Sequence, residues 1–459
     1  MSRRLHNDPP SAAQGGRAGG AVGGSSRRAW LTASIAGVAA MACGTARADP
    51  DSATLDALCR DLYVYGFPVL EMARARQRTI GPSANRLRHV RRLADATSRR
   101  VTTPNNDTLY SSAWLDLRHG PVAFAYPGAG DRYVSIAVLD MFSNNFIVLG
   151  PQQTRGLAGA IRLAAPGAAN TPGTTIAPTP WVWIQARTLV AGHADLAAAH
   201  QLQDAMRLSG ADAPPPEPLG ETGDPVDELL AIVHLLATDA PPPPGERDLM
   251  ARWDRAGLTR TVLAGVDGSM RSDAARGVAE ARRRIAARMN RAAPVSGWIY
   301  PEPALGDFGT DFLYRASIAQ WGLGALPVRE AAYFRAVDRD GDPTFSPAHG
   351  YLLRFPPGGD PPARAFWSLS LYEALADGQL YFAGNPLDRF AIGDRTPSLI
   401  RDADGSLSIW IGTDDPGASR RANWLPAPNR RFALILRVYN PEASMFDGTY
   451  RVPQLEVIS

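Results

Sequence analysis

The 459-residue chain contains no lysine, so each of its 48 basic side chains counted as Lys or Arg is an arginine. A lysine amine is required to form a Schiff base, to attach pyridoxal phosphate, and to contact the phosphates in a P-loop. These three kinds of chemistry are therefore excluded for the protein acting alone.

Cysteine is almost absent as well, with Cys43 and Cys59 the two in the sequence. Cys43 lies in an N-terminal segment that we expect to be removed, and the single remaining thiol cannot form an internal disulfide or a cysteine metal cluster. Cys59 lies in an amphipathic helical pattern, which favours a buried and unreactive side chain. The fold must therefore be stabilised by packing.

Short catalytic motifs are also missing. The sequence has no G-x-S-x-G elbow, no H-E-x-x-H pair, no P-loop, no C-x-x-C and no G-x-G-x-x-G. No cofactor is evident, and no two histidines have the spacing of a local metal site. A divalent metal bound by His89 or His349 together with aspartates from distant strands stays open as an alternative.

A strongly basic surface is lacking once the N-terminal segment is set aside. The net charge is +3, but residues 1–48 carry six arginines and one acid, which leaves 42 of the 48 basic and 44 of the 45 acidic residues elsewhere. The remainder is therefore slightly acidic. This charge balance argues against nucleic acid as a partner.

Residues 1–48 have the pattern of an export signal. Arg27 and Arg28 precede an apolar run that ends near Cys43, and Ala46-Arg47-Ala48 matches a small-x-small cleavage site. The paired arginines resemble a twin-arginine signal, with an ordinary secretory signal as the alternative. We expect an exported, periplasmic protein that is cleaved near Ala48 and has no transmembrane segment afterwards.

The mature sequence predicts a mainly β protein with two jelly-roll-like antiparallel β-sandwich domains and a helical segment between them. Helical periodicity over residues 54–78 indicates a helical lead-in within residues 49–100. Short strands separated by turn residues predict a first sandwich over 101–195 and a second over 336–459, with helices in 196–335 between them. No repeat of fixed period is visible, although two β-domains could derive from an old duplication.

The first candidate site is a polar run in front of a predicted strand. Asn105, Asn106 and Asp107 directly precede the strand predicted at 109–117, in which Tyr110 offers an aromatic face. The three polar side chains could simply cap a turn. They could equally bind a ligand, with Asp107 as a catalytic carboxylate and Tyr110 as a stacking platform for a sugar.

Further candidates are arginines and aromatic residues on other predicted elements. Asp311 and Arg315 are four residues apart in a helical pattern, which fits either a surface ion pair or a second catalytic carboxylate beside an anion-binding arginine. Arg187, on the strand predicted over 181–189, is a second candidate anion anchor. Trp367 and Tyr372 are candidate ligand contacts, although aromatic residues on strands usually belong to the core.

Several long motifs resemble a known pair of domain families. The N-terminal half is similar to domain-of-unknown-function family 1254 in "TPNNDTLYSSAWLDL" and "DRYVSIAVLDMFSNNF", and the C-terminal half is similar to family 1214 in "GTDFLYRA", "FWSLSLYEA" and "FALILRVYNPEASMFDGTY". The resemblance spans about residues 55–457. It implies two jelly-roll-like sandwiches in an exported protein, and it implies no defined chemistry. His349 stands where asparagine is commoner in the family.

These observations lead to three hypotheses of function. The first is that the protein binds or processes a carbohydrate-like or other polar small molecule in a cleft of the sandwiches. The second is a metal-dependent enzyme, and the third is an envelope protein that uses its sandwich edges to bind partners. The sequence does not determine the oligomeric state.

Overall fold

The computed structural model describes residues 54–220, 223–255, 258, 268–289 and 292–458, and these residues belong to one compact unit. The predicted export signal lies outside the described residues. Within them, no helix combines the length and the apolar character needed to cross a bilayer.

Seven helices occur in the described part of the chain. Their bounds are α1 Leu55–Thr79, α2 Pro151–Thr154, α3 Leu196–Ala205, α4 Pro225–Thr238, α5 Arg247–Arg255, α6 Gly268–Arg288 and α7 Phe312–Trp321. The helix predicted over 54–78 is thus α1, which contains Pro68.

The helices α1, α4, α6 and α7 form a layer centred on α1. Two glycines permit their close approach. A Cβ atom on Gly66 of α1 would overlap Ile232 of α4, and one on Gly277 of α6 would overlap the backbone oxygen of Asp56. Larger side chains at these two positions would push the helices apart.

The first sandwich consists of two sheets. One has the strand order β1-β2-β8-β4-β5 and the other the order β7-β6-β3-β9. Its core contains Leu115, Phe124, Val138 and Ile184, which are all buried. The strands are β1 Arg88–His89, β2 Thr108–Asp116, β3 Val122–Tyr126, β4 Val134–Leu139, β5 Asn145–Leu149, β6 Gly159–Ala164, β7 Thr174–Ile176, β8 Trp181–Leu189 and β9 Arg207–Ser209.

The second sandwich is built in the same way. One sheet has the order β10-β11-β18-β13-β14, with β15 also paired to β13, and the other has the order β17-β16-β12-β19. The strands are β10 Trp298–Ile299, β11 Ala331–Ala336, β12 Gly350–Phe355, β13 Ala363–Ala374, β14 Leu380–Tyr381, β15 Ala391–Gly393, β16 Leu407–Gly412, β17 Trp424–Pro426, β18 Phe432–Pro441 and β19 Glu456–Ile458. The fold class predicted from the sequence is confirmed.

The two sandwiches have one topology. When β1–β9 are matched in chain order to β10–β14 and β16–β19, both strand orders coincide, and β15 is the single strand left over. The match extends to direction, because β6 and β7 are parallel, as are their counterparts β16 and β17. The described structure therefore contains an internal repeat that the sequence did not show.

Candidate functional site

The two sandwiches face each other through the sheets that contain β8 and β18. Side chains on a strand point alternately to its two faces. On β18, Leu434, Leu436 and Val438 fill the core of the second sandwich, so the residues between them point towards the first sandwich. Tyr133 makes ring contacts across this boundary with Phe366 at 5.3 Å and Tyr439 at 5.4 Å.

One row of three side chains crosses the central strands of the first sandwich at this boundary. In the strand register Tyr110 of β2 stands opposite Arg187 of β8, and Ser135 of β4 stands opposite the same arginine on its other side. The Arg187 guanidinium lies over the Tyr110 ring, 5.2 Å from its centroid. Neighbouring strands thus place a tyrosine, an arginine and a serine side by side.

The second sandwich carries the same row on the matching strands. Tyr333 of β11 and Ser368 of β13 both stand opposite Arg437 of β18. The backbone repeats too. The N–H of Val190, three residues after Arg187, donates to the backbone oxygen of Asp107 at 3.0 Å.

The counterpart of that bond joins equivalent positions. The N–H of Asn440, three residues after Arg437, donates to the backbone oxygen of Glu330 at 2.7 Å. Asp107 and Glu330 each stand three residues before the tyrosine of their row. We call Tyr110, Arg187, Tyr333 and Arg437 the tyrosine–arginine cluster.

Each of these two carboxylates is bonded to the opposite sandwich. Asp107 accepts a hydrogen bond from the Ser368 hydroxyl at 2.7 Å and pairs with Arg395 at 2.9 Å. Glu330 accepts from the Tyr133 hydroxyl at 2.7 Å. Neither carboxylate forms an ion pair with an arginine of the cluster, although the charge of Asp107 favours the Arg437 cation and the charge of Arg187 lowers the pKa of Glu330.

Residues 101–107, which precede β2, form a strap over the second sandwich. The N–H of Thr103 donates to Leu380 at 2.8 Å, and the Tyr372 hydroxyl donates to the Pro104 oxygen at 2.8 Å. Asn105 has two roles: its side-chain oxygen accepts the N–H of Asp107 at 2.6 Å, as in an Asx turn, and its amide donates to the Tyr439 hydroxyl at 2.8 Å. The polar run therefore makes a turn and also joins the two sandwiches.

Arg187 and Arg437 are buried cations without an ion-pair partner. Both are 4% exposed, and among the described residues no carboxylate lies within 4.0 Å of either guanidinium. Arg187 donates to Gln185 at 3.1 Å and to the backbone oxygen of Gly324 at 2.7 Å, while its Nη1 has no protein partner. Buried charges in proteins are normally paired, so this arrangement leaves room for an anion.

Tyr110 has an unusual electrostatic environment. Burial alone would raise the pKa of Tyr110, but Arg187, the Asn105 amide and Arg437 outweigh burial and lower this pKa. Asn105 Nδ2 lies 3.4 Å from the Tyr110 oxygen. Tyr110 and Tyr333 also keep part of their surface open, although the residues around them are buried.

Glu330 titrates close to neutral pH. Burial raises the pKa of Glu330 from its ordinary value of 4.5 to about 7, against the opposing effects of the Tyr133 hydrogen bond and the Arg187 charge. The side chain is 4% exposed. Near pH 7 this carboxyl therefore supplies only part of a negative charge to the boundary.

Five other predicted site residues lie away from the cluster or shape its edge. Asp311 is exposed, accepts the N–H of Tyr314 at the start of α7 and pairs with Arg288, so it shares no contact with Asp107. Arg315 is buried against Tyr65, Phe142 and Phe312. Trp367 packs on Phe355 inside the second sandwich, whereas Tyr372 lies under the strap, and the Asn106 amide donates to the Ala94 oxygen at 2.5 Å.

The two histidines considered as metal ligands lie apart from any ligand group. His89 Nδ1 is 2.8 Å from the Ser111 hydroxyl, and burial lowers the pKa of its imidazole. His349 is exposed and contacts the Tyr351 ring edge-on. Across the described ranges, no cluster of three or more His, Cys, Asp or Glu could hold a metal ion.

Sequence reasoning missed the half of the cluster that the second sandwich supplies. Tyr333, Arg437 and Tyr439 were not among the candidates, nor was Glu330. One signal was available, because Glu330 to Tyr333 repeats the spacing of Asp107 to Tyr110. A three-residue spacing becomes informative only once the strands are known to correspond.

Comparison with known proteins gives the family. The model of the family DUF1254, proteins of unknown function, matches residues 84–210, and that of DUF1214, also of unknown function, matches residues 330–443. The chain belongs to the proteins that join these two families. In this DUF1254–DUF1214 protein, each family region contains one row of the cluster.

A solved structure supports the fold of the DUF1254–DUF1214 protein. The crystal structure of the VPA0106 protein from Vibrio parahaemolyticus matches with a TM-score of 0.65 and 21% identity, covering 88% of this chain and all of that one. An uncharacterised protein from Burkholderia cenocepacia matches with a TM-score of 0.43 and 13% identity, over 86% of this chain and 88% of that one. No curated protein matches the chain significantly.

Proposed function

We propose that this protein is exported and binds a polar, anionic small molecule at the tyrosine–arginine cluster between its two sandwiches. The observation that carries the proposal is the pair of buried arginines, Arg187 and Arg437, with no carboxylate partner in the described residues. A buried charge without a partner costs several kcal/mol. Such a cost is common at binding sites, where the ligand supplies the missing charge.

The neighbouring groups fit a ligand that carries hydroxyl groups besides its anionic group. The cluster offers the hydroxyls of Tyr110 and Tyr333, the two tyrosines whose surfaces are partly open. Tyrosine rings also provide apolar faces for the C–H surface of a sugar. Sugar acids are therefore the first ligands to test, and this choice keeps the carbohydrate expectation while adding a charge to it.

The experiment compares thermal unfolding of residues 49–459 with and without D-glucuronate, D-galacturonate and the uncharged sugars D-glucose and D-galactose. A ligand at about 100 times its Kd stabilises a protein by roughly 2.7 kcal/mol, which raises the Tm by a few degrees. We expect a rise with the sugar acids and a smaller one, or none, with the uncharged sugars.

Two variants test whether the rise depends on the cluster. Arg187→Met removes the unpaired guanidinium but keeps a long apolar side chain, and we expect it to reduce the ligand-induced rise. Arg162→Met is the matched control, because Arg162 is exposed on β6, away from the boundary. Equal ligand responses in the two variants would contradict the proposal.

A structural role for Arg187 predicts a different result. If the guanidinium served only to hold the sandwiches together, Arg187→Met without ligand would lower the Tm by many degrees. A binding role predicts a ligand-free Tm that is unchanged or higher, since the variant removes an uncompensated buried charge.

A further inference from the structure

The internal repeat gives the site an approximate twofold arrangement. Tyr110, Arg187 and Ser135 form one row, and Tyr333, Arg437 and Ser368 form the other at matching strand positions. A twofold arrangement also brings certain equivalent positions into contact. Tyr133 and Phe366, each two residues before the serine of its row, have ring centroids 5.3 Å apart.

Asp107 and Glu330 are likewise each bonded to a residue of the other half. Asp107 of the first half is bonded to Ser368 of the second, and Glu330 of the second half is bonded to Tyr133 of the first. Equivalent carboxylates therefore each cross to the other half, Asp107 to the serine of the opposite row and Glu330 to the tyrosine two residues before that serine's counterpart.

The arginine charges of both rows affect the same two tyrosines. The charges of Arg187 and Arg437 both lower the pKa of Tyr110, and both oppose the rise that burial causes in the pKa of Tyr333. These two tyrosines are the cluster members whose surface remains partly open. Both arginines therefore lie close enough to influence the two tyrosines whose surfaces remain partly open.

The hydrogen bonds of the two arginines involve no carboxylate. Arg437 donates to the Ser370 hydroxyl at 2.7 Å and to the Thr103 oxygen at 3.0 Å. These acceptors, like those of Arg187, are uncharged. The charge of Asp107 favours the Arg437 cation from a distance, but Asp107 is itself paired with Arg395, and the acidity of Glu330 is suppressed by burial.

We propose that the ligand of this site carries two anionic groups, one bound by Arg187 and the other by Arg437. This inference rests on the proposed function and specifies its ligand class: a small dicarboxylate or a molecule with equivalent charges. Two cations in a low-dielectric space repel each other, and a single negative charge would neutralise only one of them. A guanidinium binds a carboxylate through two parallel N–H bonds, so two arginines provide two such forks.

The first arm of the test varies the number of charges on one skeleton. D-Glucose, D-glucuronate and D-glucarate have the same six-carbon hydroxylated chain with no, one and two carboxylates. Titration calorimetry of residues 49–459 should give a Kd for D-glucarate at least tenfold lower than that for D-glucuronate.

The second arm varies the distance between the charges without hydroxyl groups. Malonate, succinate, glutarate and adipate are each compared with the monocarboxylate of the same chain length. We expect at least one dicarboxylate of this series to bind tenfold more tightly than its matched monocarboxylate, and the preferred length reports the span between the arginines.

The third arm uses the two halves of the repeat. Arg187→Met and Arg437→Met should each raise the Kd of the best dicarboxylate to about that of its monocarboxylate, whereas Arg162→Met should leave it unchanged. Monocarboxylates that bind as tightly as dicarboxylates to the unmodified protein would overturn this inference while supporting the proposed function. If no anion of any arm binds, both fail.

Discussion

Asp107 and Asp311 were both predicted from the sequence as candidate catalytic carboxylates, and the structure places them in different environments. Asp107 is buried and bonded to Arg395 and Ser368 across the sandwich boundary. Asp311 is exposed and caps α7. The same side chain therefore has different energetic importance at the two positions, because burial strengthens the ion pair and makes its loss expensive.

We expect Asp107→Asn to lower the free energy of unfolding by about 3 kcal/mol, because it leaves the Arg395 charge without its partner in a partly buried place. Asp311→Asn is the matched control. Asparagine caps helices as well as aspartate does, so the expected loss is under about 0.5 kcal/mol. Urea unfolding measures both, and similar losses for the two variants would contradict this assignment.

Glu330 makes stability depend on pH. Its pKa is about 7 in the folded protein and 4.5 ordinarily, so the unfolded chain loses this proton first as the pH rises. The folded state then binds more protons than the unfolded state, and the contribution of Glu330 to stability falls between pH 4.5 and 7. At one pKa unit per 1.36 kcal/mol, the fall amounts to roughly 3 kcal/mol.

Glu330→Gln tests this dependence, because glutamine has the same shape and does not titrate. The difference in unfolding free energy between variant and unmodified protein should shift in favour of the variant by roughly 3 kcal/mol from pH 4.5 to 7. Urea titrations at half-unit pH steps measure it. A difference that stays constant with pH would show that Glu330 ionises normally.

At the scale of elements, the strap over residues 101–107 is the segment that joins the two sandwiches most directly. Its contacts alternate between backbone bonds to β14 and side-chain bonds to β13 and β18. Thr103 has a φ of 51°, which a non-glycine residue adopts only when its neighbours hold it there. The strap is therefore held in position along its length.

Asn105→Ala and Asn106→Ala test the strap with adjacent residues of one type. Asn105 bonds the Asp107 N–H and the Tyr439 hydroxyl, whereas the bond of Asn106 is to Ala94 outside the second sandwich. We expect Asn105→Ala to lose about 2 kcal/mol of stability, and about 1 kcal/mol more than Asn106→Ala. Hydrogen exchange at the Val190 and Thr103 amides should accelerate more in Asn105→Ala, and the reverse order would argue against the strap.

The sequence predicted most long elements because their patterns are strong. The strand predicted over 181–189 is β8 with the same bounds, and the strand predicted over 109–117 is β2, shifted by one residue. Strands of two or three residues, such as β1, β10 and β14, were missed because so few residues show no alternation.

The site was harder to predict than the fold. Arg187 could be recognised as a polar residue on a buried strand, but alternation shows only which face it occupies, not what covers that face. Arg437 lies in "FALILRVY", where all the residues of β18 are buried. One of its hydrogen-bond partners, the Thr103 oxygen, comes from the strap, more than 300 residues earlier in the chain, and a contact of that separation leaves no local pattern.

At the scale of the whole molecule, the two sandwiches share a buried boundary rather than a flexible linker. Aromatic rings of Tyr133, Phe366 and Tyr439 interlock there, and the α1 layer packs against the same core. We expect one cooperative thermal transition for residues 49–459, with calorimetric and van't Hoff enthalpies equal. Two resolved transitions in the calorimeter would show that the sandwiches unfold independently.

The matched strand orders have a consequence for how this protein arose. A single sandwich with this topology would expose a face of arginine, tyrosine and aromatic residues, and two identical copies could bury those faces against each other as an isologous homodimer. Fusion of two such genes would convert the dimer axis into the pseudo-axis of one chain. The two halves could then diverge, and the matching positions of Asp107 and Glu330 now differ in residue type. A site that was symmetric in the dimer would then be able to distinguish the two ends of its ligand.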